Sequence, residues 1–207
     1  MYFCDRRVKI CRIDDPDYIP QLLSLCKAEK IQALIPTIDT DLLLLSRNRE
    51  AFAAIGTNAV ISAEEKIRLC RDKRYTGNYF ASCGLKSPLP VDDYRKYAGG
   101  FPAFIKPKDG SSSIQAYKVH DAEELKEYAN KIDEYVVQPF IEGAEYTVDI
   151  FCDFDGAPLY ITPRRRLAVR SGEVLKTQIA NDRRITEECE RLVADYKPCG
   201  AITVQLI

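Results

Sequence analysis

The sequence predicts an α/β fold whose second part has mixed α+β character. In the first part, short apolar runs alternate with stretches of helical periodicity, which is typical of a parallel sheet flanked by helices. From about residue 101, strand-like runs follow one another across turn sequences, and only two helical stretches lie between them. The linker "LKSPLP" at residues 85–90 separates the two patterns, so it marks a candidate boundary between subdomains.

The first part is expected to hold three helices and two short strands. Apolar side chains recur at helical spacing after Asp15 and Asp17, either of which could cap the first helix. Gly56 and Gly84 follow the second and third helices, where glycine commonly ends a helix. The expected helices are 15–31, 39–56 and 63–84, and the expected strands are 31–37 and 58–62.

The second part is expected to be richer in strands. Two apolar runs flank the sequence "DGSSS", which predicts a hairpin-like pair, and another pair surrounds the turn "DFDG". Asp121 precedes a helical stretch as its candidate cap. The expected strands are 102–107, 113–119, 134–141, two within 144–169, and 201–207, and the expected helices are 121–132 and 184–200.

Length and composition argue against several classes of protein. The 207 residues suffice for a packed core, and a net charge of −1 gives no reason to expect nucleic-acid or membrane-surface binding. No run reaches the ~20 apolar residues of a membrane span, and the N-terminus lacks the apolar region of a signal peptide. The eight cysteines lack C-x-x-C spacing and accompany a single histidine, which argues against zinc and predicts small core side chains in a cytoplasmic protein.

Several polar positions stand out as candidates for chemistry. Lys106 ends an apolar run beside "DGSSS", and another lysine follows an acid within "RDKRYT". Glu145 and Asp149 lie four residues apart in a predicted strand, which places both on one face together with Thr147. Gln205 is polar within an apolar strand. Each feature alone is more often an ordinary solvated surface.

Taken together, the order and spacing of "RDKRYT", "FIKPKDGSSS", "VVQPFIEGAEYTVD" and "GAITVQ" resemble the ATP-grasp superfamily, and most of all its carbamoyl-phosphate synthase large-subunit branch. The resemblance covers nearly the whole chain. It implies an ATP-grasp fold preceded by a partial Rossmann-like domain, the pre-ATP-grasp domain. The implied ranges are 1–62 for the pre-ATP-grasp domain, 63–207 for an ATP-grasp domain with an incomplete C-terminal sheet, and about 91–140 for its lid.

The resemblance implies a nucleotide site. Lys73 and Lys106 would face the ATP phosphates, since an ammonium is a compact counter-charge for a phosphate. The loop after them would fold over the phosphates with hydroxyl and backbone N–H donors, and an acid would hold the ribose hydroxyls. The implied cofactor-binding residues are the two lysines, the loop residues Gly110, Ser111, Ser112 and Ser113, the adenine strand Gln138, Pro139, Phe140 and Ile141, and the ribose acid Glu145.

The implied chemistry is the ATP-dependent ligation of a small carboxylate and an amine. ATP phosphorylates the carboxylate, and the amine attacks the resulting acyl phosphate, so no protein nucleophile is needed. Arg166 and Lys176 are the candidate catalytic residues that would meet the acid, and Gln205 is the candidate metal ligand. ATP and Mg²⁺ are the implied cofactors.

Two features leave other functions open. In the family, the strand after "GAITVQ" carries an E-x-N-P motif with the principal metal ligands, and the given sequence reaches Ile207 before such a motif. The start of the sequence is likewise expected to lack part of the usual N-terminal unit. The alternatives are a non-catalytic nucleotide-binding or structural module, or one half of a split enzyme. A homo-oligomer or a completing partner chain belongs to the same expectations.

Overall fold

The computed structural model describes residues 4–110, 114–170 and 173–207, which divide between Ile67 and Arg68 into two compact units. Both units combine helices with strands, so the expected α/β and α+β architecture is confirmed. The helices are α1 Tyr18–Ala28, α2 Leu42–Arg47, α3 Arg49–Ala54, α4 Glu64–Arg71, α5 Lys73–Ser82, α6 Ala122–Ala129 and α7 Arg183–Tyr196. The strands are β1 Ala33–Leu34, β2 Asn58–Ala59, β3 Ala103–Pro107, β4 Tyr117–Val119, β5 Tyr135–Pro139, β6 Tyr146–Cys152, β7 Pro158–Arg170, β8 Glu173–Ile179 and β9 Gly200–Leu206.

The first unit is built on a small parallel sheet in which β1 pairs with β2. Each strand has only two residues, so both are shorter than the sequence predicts. Helices α1, α2 and α3 contribute to one apolar core with these strands, centred on Leu45 and Phe52, which are 1% and 0% exposed. The strand–helix alternation read from the sequence thus corresponds to a parallel layer.

The single helix predicted over 39–56 is wrong, because Asn48 divides it into α2 and α3. The Asn48 side-chain amide donates to the carbonyl oxygen of Leu44 at 2.8 Å. An asparagine that bonds nearby backbone groups competes with helix hydrogen bonding, which accounts for the break. The expected end of the helical region is present, since Gly56 follows α3 with a φ of +82°.

The single helix predicted over 63–84 is also wrong, because Asp72 separates α4 from α5. The Asp72 backbone is extended, with φ −109° and ψ 116°, and its carboxylate accepts a hydrogen bond from the backbone N–H of Arg74 at 2.9 Å. Aspartate is a favoured N-cap, so this residue starts a new helix instead of continuing the old one. The break makes Lys73 the first residue of α5.

The second unit contains two antiparallel sheets in its described residues. A three-stranded sheet has the order β4-β3-β5, and α6 packs on one of its faces. A four-stranded sheet has the order β8-β7-β6-β9, and α7 packs on one of its faces. The predicted hairpin-like pair around "DGSSS" is confirmed as β3 with β4, and the pair around "DFDG" as β6 with β7.

Along β6, successive side chains alternate between the face of the four-stranded sheet that α7 covers and the opposite face. Val148, Ile150 and Cys152 are buried in the core that includes α7. Because successive strand residues point to opposite faces, Thr147 and Asp149 lie on the face away from α7. That face carries the polar residues considered below.

Strand β8 was not predicted from the sequence. Its described side chains are mostly exposed, and among the described strands it pairs with β7 alone, through a register that shifts near Ala168. An exposed edge strand of this kind lacks the buried apolar alternation that identifies strands in a sequence. The structure therefore defines the extent of β8, in a segment whose charge pattern is also compatible with a solvated hairpin.

Four of the cysteines, Cys26, Cys152, Cys189 and Cys199, are buried, and none of the eight, all of which lie in the described ranges, forms a disulfide bond. This agrees with the interpretation of cysteine as a small core side chain. Among the described residues, no helix has both the length and the apolar character that a membrane crossing requires.

Candidate functional site

Lys106 lies on β3 of the three-stranded sheet, opposite Val136 of β5, and its side chain is partly buried. Its ammonium lies 5.5 Å from the centre of the Phe104 ring. Burial and, to a smaller extent, the neighbouring ammonium of Lys73 lower the pKa of Lys106 to about 8. Both influences disfavour the charged form, so the site is one where a ligand's negative charge would be strongly stabilising.

Lys73, at the start of α5, connects that helix to the end of β3. Its backbone N–H donates to the carbonyl oxygen of Lys108 at 2.8 Å, and its ammonium donates to the carbonyl oxygen of Gly110 at 2.6 Å. Burial lowers the pKa of Lys73, as it does for Lys106. The structure thus brings the two predicted lysines together, at the point where β3 passes into the predicted phosphate loop.

Only the beginning of that loop can be described. Gly110 packs closely on Pro107, since a Cβ atom added to Gly110 would lie 3.1 Å from the Pro107 Cβ. The three serines at 111–113, which the resemblance assigns to phosphate binding, lie outside the described residues.

Two aromatic rings and a third lysine share the region of Lys106. The rings of Phe104 and Phe140 are 6.1 Å apart and tilted, and the ammonium of Lys118 lies 4.0 Å from the centre of the Phe140 ring. Phe104 and Lys118 are cross-strand partners on β3 and β4. Neither was selected from the sequence, although Phe104 lies two residues before Lys106 and therefore on the same face of β3.

Three of the four residues predicted to bind adenine, Gln138, Pro139 and Phe140, make contacts that hold β5 to its neighbours. The side-chain amide of Gln138 is buried and donates to the carbonyl oxygen of Pro88 at 2.6 Å, which attaches the proline-rich linker to β5. Pro139 pairs with β3, and the backbone N–H of Phe140 donates to the carbonyl oxygen of Pro102 at 3.1 Å. Ile141 follows the strand with an exposed side chain.

The four-stranded sheet holds the predicted ribose acid, Glu145, immediately before β6. Its carboxylate lies 3.4 Å from the Arg166 Nε, and the backbone N–H of Arg166 donates to the Glu145 carbonyl oxygen at 2.8 Å. The Arg166 side chain is only 8% exposed. Arg166, predicted to meet the acid substrate, is therefore directed towards Glu145, which immediately precedes the neighbouring strand β6.

A second ion pair lies on the same sheet. Arg164 donates to both carboxylate oxygens of Asp149, with distances of 2.5 Å from Nε and 2.9 Å from Nη2. Such two-pronged geometry is the strongest form of arginine–carboxylate pairing. Lys176, the other predicted catalytic residue, is exposed on β8, where it pairs with Ala168. It therefore belongs to a different sheet from Lys106.

The residues that can be described do not amount to a magnesium site by themselves. Gln205, the predicted metal ligand, is exposed on β9 and pairs across the sheet with Thr147. No group of three or more His, Cys, Asp or Glu side chains within the described ranges is arranged to hold a metal ion. A single amide oxygen falls short of the several hard oxygen ligands that Mg²⁺ takes.

A cavity of ≈ 300 Å³ lies beside Glu145. Glycine and alanine of the β5–β6 connection form one side of it, and the distal part of β7 forms the other. Its lining residues are Gly143, Ala144, Glu145, Arg165, Arg166, Leu167, Ala168 and Val169. A larger depression of ≈ 790 Å³ runs along the charged face of α7, from Arg184 to Ala194, and contains none of the predicted site residues.

Two family profiles match the chain. A profile described as a PylC-like N-terminal domain matches residues 1–61, and one described as an ATP-grasp domain matches residues 70–207. The second match spans more than half of the chain. The resemblance identified from the sequence motifs is therefore confirmed.

Known proteins agree with these profiles. A carbamoyl-phosphate synthase from Methanobrevibacter smithii is 25% identical over 144 residues, and a 3-methyl-D-ornithine–L-lysine ligase from Methanosarcina mazei is 29% identical over 154 residues. Each match covers 66% of this chain and 39% of the relative. The solved structure of a biotin carboxylase–beta-gamma-ATP complex from Campylobacter jejuni has a TM-score of 0.75 at 16% identity, covering 94% of this chain and 50% of that one. The chain thus spans about two fifths of the length of these curated relatives.

Proposed function

Because the chain belongs to the ATP-grasp family, we propose that it binds ATP and forms the nucleotide-binding part of an ATP-dependent carboxylate–amine ligase. The observation that carries the proposal is the pair of partly buried lysines, Lys73 and Lys106. Burial lowers the pKa of both, the ammonium of Lys73 adds to the effect at Lys106, and Asp109 and Asp72 oppose it at Lys73. Such an arrangement costs stability unless a ligand repays it. A triphosphate supplies the required negative charge.

In this proposal, the two lysines hold the phosphates and the aromatic rings form part of the base pocket. Lys106 and Lys73 approach from β3 and α5, and Lys73 already contacts the start of the adjoining loop at the Gly110 carbonyl oxygen. Phe104 and Phe140 provide apolar surface beside the end of β5. Bringing phosphate close to two ammonium groups stabilises the charge that moves during phosphoryl transfer.

The half-exposed carboxylate of Glu145 would accept hydrogen bonds from the ribose hydroxyls. Beside it, the ≈ 300 Å³ cavity is large enough for a small carboxylic acid. Lys176, exposed on strand β8, is the proposed contact for that acid. The family relation to a 3-methyl-D-ornithine–L-lysine ligase supports amino acids as the acid and amine to test first.

A second candidate function is a nucleotide-binding module without catalysis. This candidate requires only the lysine pair, whereas phosphoryl transfer from ATP also depends on bound Mg²⁺. The two candidates share the same binding step and differ in turnover.

The experiment has two stages. Thermal unfolding of the chain is followed with ATP, with and without Mg²⁺, and ATP at about 100 times its dissociation constant should stabilise the chain by roughly 2.7 kcal/mol. Phosphate release is then measured with a panel of amino acids as acid and amine. Stabilisation without phosphate release favours the binding module, and no stabilisation by ATP contradicts both candidates.

A further inference from the structure

Arg165 lies between two arginines of β7 that are already held by acids. Arg164 donates to both carboxylate oxygens of Asp149, and the Nε of Arg166 lies 3.4 Å from a carboxylate oxygen of Glu145. The Arg165 side chain is exposed, and no acid among the described residues pairs with its guanidinium. Arg165 is therefore a cation whose charge the described part of the fold does not match.

The strand register adds a second cation to the surroundings of Arg165. Its cross-strand partners are neutral, namely Tyr146 on β6 and Gln178 on β8. Lys176 lies two residues before Gln178, and alternate residues of a strand share a face, so Lys176 and Arg165 lie on the same face of the hairpin that β7 and β8 form. Diagonal neighbours of this kind are ~7–8 Å apart, so two long side chains can reach one anion.

Arg165 also lines the ≈ 300 Å³ cavity beside Glu145. The charged residues of the lining are Glu145, Arg165 and Arg166, so two cations and one anion leave one positive charge in excess. Among the described strands, β7 has no partner on this side beyond Arg166, because β6 begins at Tyr146. Such an edge presents backbone N–H and C=O groups, so the cavity offers hydrogen-bonding groups as well as positive charge.

The volume of the cavity limits the size of its ligand. At ~30 Å³ for each water-sized group, ≈ 300 Å³ holds about ten non-hydrogen atoms. This matches a small carboxylic acid such as an amino acid, and it is too little for a nucleotide.

We propose that Arg165 binds the carboxylate of the acid substrate and that Arg166, the arginine selected from the sequence, does not. The proposal rests on the proposed function for the reaction in which the acid takes part. A guanidinium donates two parallel hydrogen bonds to a carboxylate, which fixes the orientation of the acid. Arg165 can make these bonds at once, whereas Arg166 would first have to leave Glu145.

Arg165→Met provides the test, because methionine keeps an unbranched side chain and removes the charge and the donors. The probes are alanine, serine and lysine, each compared with the amine that lacks its carboxylate: ethylamine, ethanolamine and cadaverine. They are titrated calorimetrically in the presence of ADP. Wild-type protein should bind at least one of the amino acids, and bind the corresponding amine at least tenfold more weakly. The variant should bind that amino acid about 10- to 100-fold more weakly, as expected for lost hydrogen bonds between charged groups, and bind the amine as the wild type does.

Arg170→Met is the matched control. Arg170 is exposed on the same strand and does not line the cavity, so its removal should leave amino-acid binding unchanged. Arg165→Lys should retain part of the binding, because lysine keeps the charge without the two-pronged geometry. The melting temperatures of these three variants should lie within about 2 °C of the wild type, as for other exposed positions. A lost preference for the amino acid over its amine then reports on binding and not on folding.

Several results would overturn this inference. They are equal binding of the amino acid by Arg165→Met and wild type, loss of that binding in Arg166→Met alone, and a wild type that binds none of the three amino acids or does not distinguish them from the amines. A site that takes inorganic phosphate but no amino acid would also overturn it, because charge alone would then explain the binding. If ATP stabilises the wild type while any of these results holds, the inference fails and ATP binding stands. If ATP does not bind, the proposed function fails, and the same titrations without nucleotide decide the role of Arg165.

Discussion

The two sheets of the second unit differ in whether their charged side chains lie beside a group of opposite charge. On the three-stranded sheet, Lys106 is partly buried and its nearest charged influence is another cation, Lys73. On the four-stranded sheet, Asp149 and Glu145 each face an arginine on the neighbouring strand. One sheet therefore carries positive charge that the described residues leave uncompensated, and the other holds both of these acids in ion pairs within the sheet.

The difference indicates where ligand-binding energy resides. A matched pair on a sheet gains little from a ligand, because its charges already interact with each other. Desolvated lysines gain much from an incoming phosphate, because the ligand offsets the penalty that burial imposes on both and that Lys73 adds at Lys106. We expect substitutions on the three-stranded sheet to affect nucleotide binding most, and substitutions at the ion pairs of the four-stranded sheet to affect mainly stability.

The largest expected effect is that of Lys106→Met on nucleotide binding. Loss of a charge-assisted hydrogen bond to phosphate should cost about 2–3 kcal/mol, or roughly 100-fold in ATP affinity. Unfolding should be no easier than in the wild type, because the variant no longer buries an ammonium. Isothermal titration with ATP and thermal unfolding measure the two quantities, with the exposed Lys126→Met as control. Equal ATP affinity in Lys106→Met would contradict the assignment of this sheet to phosphate binding.

A smaller effect is expected from pH, and it has a defined direction. The folded pKa of Lys106 is about 8, below its ordinary value of 10.5, so the free protein loses this proton above pH 8. ATP affinity should therefore fall by roughly tenfold between pH 7.5 and 9.5, since only the charged lysine binds phosphate well. Between pH 8 and 10.5 the unfolded chain binds more protons than the folded one, so the free energy of unfolding should rise with pH.

Lys106→Met is the control for this pH dependence. Removing the titrating group should flatten both the fall in ATP affinity and the rise in stability above pH 8. An unchanged pH profile in the variant would assign the titration to another group and weaken the contrast between the sheets.

The sequence identified Lys73 and Lys106 as a pair, but it did not predict the secondary structure around Lys73. Their type and spacing match a known motif, and motifs of this kind are local along the chain. The break at Asp72 depends on whether an aspartate caps a new helix or lies on the surface of a long one, and both readings have the same local composition. The position of Lys73 at a helix start was therefore not predictable.

The four-stranded sheet shows the limit more clearly. Asp149 and Thr147 share one face of β6 as the sequence predicted, because strand alternation is a local rule, and Glu145 immediately precedes that strand. The arginine partners of Glu145 and Asp149 depend on the register between β6 and β7, which the sequence does not specify.

Gln138→Leu should destabilise the three-stranded sheet, because it removes a buried amide that already makes a hydrogen bond within the protein. The Gln138 amide is buried and donates to the Pro88 carbonyl oxygen, which would lose its partner. We expect the free energy of unfolding to fall by about 1–3 kcal/mol, with urea denaturation as the measurement. Gln178→Leu, at an exposed position on β8, is the control and should change stability by less than about 0.5 kcal/mol. A neutral Gln138→Leu would mean that the linker does not depend on this bond.

The smallest expected effect is the coupling between Arg164 and Asp149, which tests whether the matched charges of the four-stranded sheet are as modest as the comparison assumes. The Asp149 side chain is 49% exposed, so solvent screens the pair despite its two hydrogen bonds. A double-mutant cycle of Arg164→Met and Asp149→Asn, measured by urea denaturation, should give a coupling energy of about 0.5–1 kcal/mol. The exposed pair of Arg183 and Glu187 on α7 supplies a reference cycle, for which about 0.3–0.5 kcal/mol is expected. A coupling above about 3 kcal/mol for Arg164 and Asp149 would instead be typical of a buried pair. The stability of the four-stranded sheet would then depend on its charges as strongly as the three-stranded sheet is proposed to depend on its ligand.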